Sequence, residues 1–329
     1  MYNPENLYVY IIRLKFTWTY YPLILLIGFE GGIMGTWEDQ FREWAKPPGT
    51  TETQRCDNAV SSIKNAINNS SELNQRNIIV FLQGSYRNNT NVRKDSDVDV
   101  GVLLTDTFFY DPLPDGLTPE SLGFGDSDYA YSTFKSDIGK ALTDHFGLNS
   151  VTRGNKAFNI RENSYHVEAD VAAFYEHRRY NLDRKYYKGV ELRTDKENNR
   201  IINWPEQHYS NGTEKNKETG TRYKSIVRIL KSLSNHMTMN KIVGADIPGF
   251  LIECMVWNVP NENFNSNYYT SDVRSVLAFL FNNTHTYEQC KHMVEVSHMK
   301  YLFGSHQKWS SKQAHAFVSV AWDYIGFED

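Results

Sequence analysis

Cysteine is scarce in this chain: Cys56, Cys254 and Cys290 are the three among 329 residues. An odd number, widely separated, argues against a disulfide framework and for a reducing cytosol. Cys290, His292 and His298 are loosely spaced and lack a fourth ligand, so they read as surface or packing residues rather than a zinc site. An excess of positive charge is also missing. Lys and Arg total 35 against 39 Asp and Glu, a formal net charge of −4. No global basic surface therefore advertises long nucleic acid, although a nucleotide needs only a local basic pocket. Nor is there an apolar run of membrane-spanning length. The longest, Phe16 to Phe29, falls short of a typical span, and Arg13, Lys15 and Pro22 hinder any extension. No small-residue cleavage pattern follows Leu23–Ile27, which removes the main mark of a signal peptide. Residues 1–33 are expected to be a non-native or poorly ordered hydrophobic extension ahead of Met34, with a membrane-associating segment as the alternative. A cytoplasmic location and no membrane association are expected for the rest.

What the chain does have is concentrated between Phe81 and Leu104. The segment reads as strand, tight turn, short helical segment, strand. Gly84 permits a turn that a Cβ would hinder, and Ser85 offers a hydroxyl and a backbone N–H where a following helix begins, a natural place for a phosphate. Asp97 and Asp99 then alternate with Val98, Val100 and Val102. A period of two puts both carboxylates on one face of a strand and the valines on the other. Adjacent carboxylates repel unless a cation lies between them, which suggests a magnesium site open to phosphate. Either half of this pattern alone favours an exposed strand with a polar face; their joint occurrence reverses that and favours the site.

The run Gly84-Ser85-Tyr86-Arg87-Asn88-Asn89-Thr90 through Ser96-Asp97-Val98-Asp99 resembles the active-site signature of polymerase-beta-like nucleotidyltransferases. Within them it is most similar to the bacterial cGAS/DncV-like enzymes that make cyclic oligonucleotide signals. The resemblance implies a third carboxylate on a neighbouring strand. Asp170, in Val167-Glu168-Ala169-Asp170-Val171, is the candidate, and Glu168 shares its strand parity as the rival. The sequon Asn88-Asn89-Thr90 falls in this loop and reads as a chance match.

Further along, a helix over Thr221–Met239 places Lys224, Arg228 and Lys231 on one face and Ile226, Ile229, Leu230 and Leu233 on the other. By itself such a face is more often merely solvated. The segment Ile226–Lys231 is, however, similar to the one with which this family and the 2′–5′ oligoadenylate synthetases present a lysine to the donor triphosphate. Lys231 matches that lysine; Lys224 and Arg228 would support it. Relatives often carry a serine near the start of the next helix, where Gly249 stands here.

The expected architecture is α/β (α+β): a polymerase-beta-like nucleotidyltransferase lobe with a small mixed sheet over residues 34–205, then a helical nucleotide-binding lobe over 206–329. The resemblance implies a two-metal mechanism with Mg²⁺ (or Mn²⁺), two ions held by Asp97, Asp99 and Asp170, and nucleoside triphosphates bound with help from Gly84, Ser85, Lys224, Arg228 and Lys231. The product would be a cyclic di- or trinucleotide made with release of pyrophosphate, serving anti-phage signalling through a separate effector protein. No stable DNA or RNA binding is expected. Transfer to RNA, protein or a small molecule, or a catalytically silent nucleotide sensor, are the alternatives. In local structure, Thr51-Glu52-Thr53-Gln54 reads as a capping box, Thr105 to Asp128 as an irregular insertion or lid, and Val190–Leu192 with Ile201–Ile202 as a hairpin.

Overall fold

A computed structural model describes residues 33–92 and 98–327. Residues 1–32 of the expected extension, and Asp97, lie outside the described residues. Among those described, no helix is long and apolar enough to cross a membrane.

The described residues open with α1 (Ile33–Trp44) and α2 (Thr50–Asn68), followed by β1 (Ile78–Leu82), the short α3 (Gly84–Asn88) and β2 (Val98–Tyr110). Helix α4 (Tyr131–Phe146) leads to β3 (Val151–Arg153), β4 (Phe158–Ile160), β5 (Ala169–Tyr180), β6 (Tyr186–Arg193) and β7 (Arg200–Asn203). The remainder is helical: α5 (Pro205–Glu218), α6 (Arg222–Met239), α7 (Gly249–Trp257), α8 (Tyr269–Thr284), α9 (Tyr287–Cys290) and α10 (Ser311–Ile325), with two short 3₁₀ turns elsewhere. The family expectation of a small mixed sheet joined to helices is met.

The sheet runs β1-β2-β5-β4-β3, with β6 pairing β5 and β7 pairing β6. Among the described strands only β2 and β5 pair in parallel; the other pairs are antiparallel. Period-two alternation decides what each face does. Val98, Val100, Val102 and Leu104 are fully buried against α2 and α4, together with Ala169, Val171 and Ala173 of β5. Leu103, Ala172 and Phe174 form a smaller core on the opposite face with Val190 and Leu192. Gly101 of β2 lies on that second face, where a Cβ would come within 2.3 Å of the Phe81 ring. Its lack of a side chain is what seats Phe81 on the sheet.

The helical half has its own core, built from Ile226, Leu230, Leu251, Met255, Val276, Leu280, Phe317 and Val318 among others. Phe41 and Ala45 of α1 belong to this core, so the first element of the 34–205 stretch packs with the helices that follow residue 205. Cys254 and Cys290 are packing residues there too.

Two local expectations are corrected. Helix α2 begins at Thr50 behind Gly49 and has no side-chain cap; Thr53 instead donates its hydroxyl to the Gly49 carbonyl at 3.2 Å, so the capping box does not form. The irregular stretch also starts later than Thr105. β2 continues to Tyr110, with its pairing to β5 slipping between Leu104 and Phe108. Such a bulge adds residues to one strand without ending it, and Phe108–Tyr110 re-pair with Glu176–Arg178 beyond it. The β6–β7 hairpin is present, pairing Leu192 with Ile201.

Candidate active site

Asp99 and Asp170 are register partners on the parallel strands β2 and β5. Directly paired residues share a face about 4.8 Å apart, so the two carboxylates stand side by side on the face away from α2 and α4. Glu168 precedes β5 and gives its carbonyl to the Val98 N–H at 3.0 Å. Asn159, the register partner of Asp170 on β4, donates its side-chain amide to Glu168 Oε1 at 2.6 Å and to Asp170 Oδ1 at 3.3 Å. Asp170, not its rival, is the carboxylate aligned with Asp99.

The turn after β1 is built around Asp99. The Gln83 N–H donates to the Asp99 carbonyl at 3.0 Å. Gly84 has φ of +66°, and a Cβ there would lie 2.0 Å from Asp99 Oδ2. Both the left-handed backbone and the close approach therefore demand glycine. Beyond it, Asn88 donates to the Gly84 carbonyl at 3.0 Å, closing the short helix. Arg87 forks onto both oxygens of Glu206 at 2.8 and 2.7 Å, fastening α3 to α5.

Helix α6 reaches this turn from the other side. Its basic face is not solvated: Lys224, Arg228 and Lys231 are all buried, and the structure separates them. Lys231 lines the cavity that also contains Gly84, Ser85 and Asp99. Arg228 is not among the lining residues. It donates to the carbonyls of Ala45 at 2.7 Å and Asn89 at 2.6 Å, and to the Ser225 hydroxyl at 3.3 Å. Its guanidinium ties α1 and the end of the α3 turn to α6. Lys224 is likewise off the lining and has its ammonium 5.8 Å from the Tyr209 ring centre. Burial holds its pKa below the ordinary lysine value despite the nearby Glu253 charge.

Lys231 has a buried partner that motif reasoning does not single out. Its Nζ lies 3.0 Å from Glu253 Oε2 and donates to the Thr90 hydroxyl at 3.3 Å. Thr90 in turn donates to Glu253 Oε2 at 2.7 Å, and His208 Nε2 lies 2.8 Å from Glu253 Oε1. Burial alone would raise the Glu253 pKa, but Lys231, His208 and the hydrogen bonds outweigh it and hold the carboxyl well below the usual range. A carboxylate so enclosed persists only when paired. One signal was available in sequence, a single acidic residue inside the apolar run Phe250–Val256. His208 carries no such signal.

The cavity has a volume of about 420 Å³, within the size range of small-ligand sites. Its walls come from the α3 turn, the β7–α5 junction, α6, α7 and the segment around Glu295. Gly249 opens α7 beside Lys231, where a Cβ would meet Lys231 Cε at 3.4 Å without a clash.

A family model for the cGAS/DncV-like nucleotidyltransferase C-terminal helical domain matches residues 210–326. The chain is 42% identical over 294 residues to a cyclic dipyrimidine nucleotide synthase, CdnE, of Legionella pneumophila, covering 88% of this chain and 98% of that protein. The chain belongs to the cGAS/DncV-like nucleotidyltransferases. Another cyclic dipyrimidine nucleotide synthase, from Cecembia lonarensis, is 37% identical over 88% of this chain and 98% of its own length. The solved structure of the Rhodothermus marinus CdnE c-UMP-AMP synthase with Apcpp and Upnpp superposes with a TM-score of 0.78 at 29% identity, covering 89% of this chain and 97% of that one. Asp99, Gly84, Ser85 and Lys231 line one cavity, with Asp170 paired beside Asp99.

Proposed function

We propose that this enzyme joins two nucleoside triphosphates into a cyclic dinucleotide with release of pyrophosphate. The observation that carries the reading is the Asp99–Asp170 pair set against the Gly84 turn, with Lys231 lining the same cavity. Pyrimidine substrates are favoured because the relatives at 42% and 37% identity are cyclic dipyrimidine synthases.

The donor set suits hard divalent cations. Two carboxylates lie on adjacent strands, one beside the cavity-lining turn, and all their donor atoms are oxygens. Asp99 and Asp170, with Asp97, would hold Mg²⁺ or Mn²⁺, which when bound neutralises phosphate charge and lowers the pKa of an attacking hydroxyl. The chain's own groups do the rest. Ser85 donates a hydrogen bond to a phosphate oxygen at the α3 turn. Lys231, a compact point charge, meets the triphosphate and favours departure of pyrophosphate. Thr90 and Glu253 keep that lysine at the cavity wall. Arg228 acts through the backbone it fastens, so it positions the turn rather than touching nucleotide. Catalysis of this kind is positioning and charge stabilisation, and no protein nucleophile is required. The product would act in the cytoplasm on a separate effector, in anti-phage signalling.

The test is incubation of the purified chain with all four ribonucleoside triphosphates and Mg²⁺ or Mn²⁺, with products resolved by mass spectrometry before and after phosphatase. Asp99→Asn and Asp170→Asn variants serve as blanks. A phosphatase-resistant cyclic dinucleotide that both blanks fail to make supports the reading. Labelled RNA or protein in added lysate, with no free cyclic product, would replace it.

A further inference from the structure

Glu295 lines the same cavity, yet its circumstances are the reverse of those of Glu253. It is 7% exposed, and Gln307 donates to its Oε1 at 2.9 Å. Among the described residues, no lysine, arginine or histidine pairs with it. A carboxylate accepts hydrogen bonds and donates none, with room for about four. With Gln307 as its protein donor and the residue lining the cavity, its remaining acceptor capacity is open to donors from a ligand.

The backbone holds Glu295 firmly in place. Its N–H donates to the Lys300 carbonyl at 2.9 Å, within a turn closed by the Val294–Tyr301 bridge. Asn258 braces the turn through both the N–H and carbonyl of Val294, at 3.0 and 2.8 Å. Asn211 donates to the Val296 carbonyl at 2.8 Å, and Lys300 to the Ile202 carbonyl at 2.5 Å. Glu295 is thereby fixed against α5 and β7, in the cavity that Trp204 and Phe250 also line. A triphosphate would be repelled from this carboxylate. A nucleoside would not: base N–H groups and ribose hydroxyls are donors, and aromatic walls suit a base plane.

We propose that Glu295 is the residue that reads the nucleoside in this cavity, accepting hydrogen bonds from its donor groups. The inference rests on the nucleotide-binding reading above and names how that site chooses among nucleotides. A site that hydrogen-bonds a donor discriminates against a nucleotide lacking it, because the ligand then covers the acceptor without pairing it.

The test is titration calorimetry of the full chain with Mg²⁺ and each of the four ribonucleoside triphosphates, and separately with inorganic tripolyphosphate. Wild type is compared with Glu295→Gln and Glu295→Asp, the latter keeping the charge at shorter reach. The expected result is a loss of about 10-fold or more for the preferred nucleotide in Glu295→Gln, a smaller loss in Glu295→Asp, and tripolyphosphate binding unchanged or tighter. A loss that varies with base identifies a base N–H as the donor. A loss uniform across bases, reproduced in wild type by 2′- or 3′-deoxy nucleotides, identifies a ribose hydroxyl. Equal weakening of nucleotides and tripolyphosphate, or no weakening of either, overturns the assignment. A wild-type chain that binds none of the four nucleotides overturns the nucleotide-binding reading itself.

Discussion

Replacing Glu253 with Gln should strongly destabilise the fold, for a reason readable from three contacts. Glu253 is buried, with Lys231 at 3.0 Å, Thr90 at 2.7 Å and His208 at 2.8 Å. Gln keeps the shape and removes the charge, stranding a buried ammonium. Removing one partner of such a pair costs about 3–5 kcal/mol. Urea unfolding of wild type, Glu253→Gln, Lys231→Met and the double variant would measure it. The double variant should be less destabilised than the sum of the singles by about 2 kcal/mol or more, since the second change relieves the charge stranded by the first. Inorganic tripolyphosphate should restore part of the stability of Glu253→Gln by giving Lys231 a new counter-charge. The pH dependence has a definite sign. The folded carboxyl titrates below an unfolded glutamate, so its contribution is complete above roughly pH 4.3 and fades only as pH falls below that through the folded value. Wild type and Glu253→Gln should begin to converge only in that acid range. Additivity within about 0.5 kcal/mol in the cycle would refute the coupling.

Gly84→Ala should abolish product formation: the left-handed backbone costs about 1–2 kcal/mol with a Cβ, and the 2.0 Å approach to Asp99 Oδ2 forces that carboxylate to move. Steady-state assay with Mn²⁺ checks this, and wild-type rates in the variant would contradict it. Gly249→Ser should fold normally, because the added Cβ meets Lys231 Cε at 3.4 Å, and its hydroxyl should lower the nucleotide KM about 5-fold through one more hydrogen bond; a raised KM would count against phosphate lying beside Lys231. Lys215 donates to the Val259 carbonyl and Asn261 within a ring of aromatic side chains, and burial lowers its pKa to about 8. NMR of reductively methylated protein should show one lysine titrating near there, lost in Lys215→Arg.

The face that carries Asp99 was legible because it depends on local chain geometry. The two-residue period around Asp99 fixes which face each side chain takes; that a further carboxylate stands on a neighbouring strand was implied by the family resemblance, and the strand register sets Asp170 opposite Asp99. The glycine turn was legible for the same reason. The three-way division of the α6 basic face was not. A helical wheel places Lys224, Arg228 and Lys231 together, but only the packing of α1 and the α3 turn against α6 decides that Arg228 spends its donors on Ala45 and Asn89 while Lys231 lines the cavity. His208, Glu253 and Glu295 were invisible as a set because they come from α5, α7 and the turn before α10, and no sequence period links such distant elements. The extent of β2 was misjudged at Thr105 because a bulge interrupts the alternation there before pairing resumes.

The most direct measurement is the ratio of pyrophosphate released to dinucleotide formed, with Mg²⁺ and the nucleotide pair giving the highest yield. Closing a ring from two triphosphates predicts two pyrophosphates per product and no phosphatase-sensitive end. One pyrophosphate per product with a triphosphate terminus retained, or release of inorganic phosphate instead, would contradict the account.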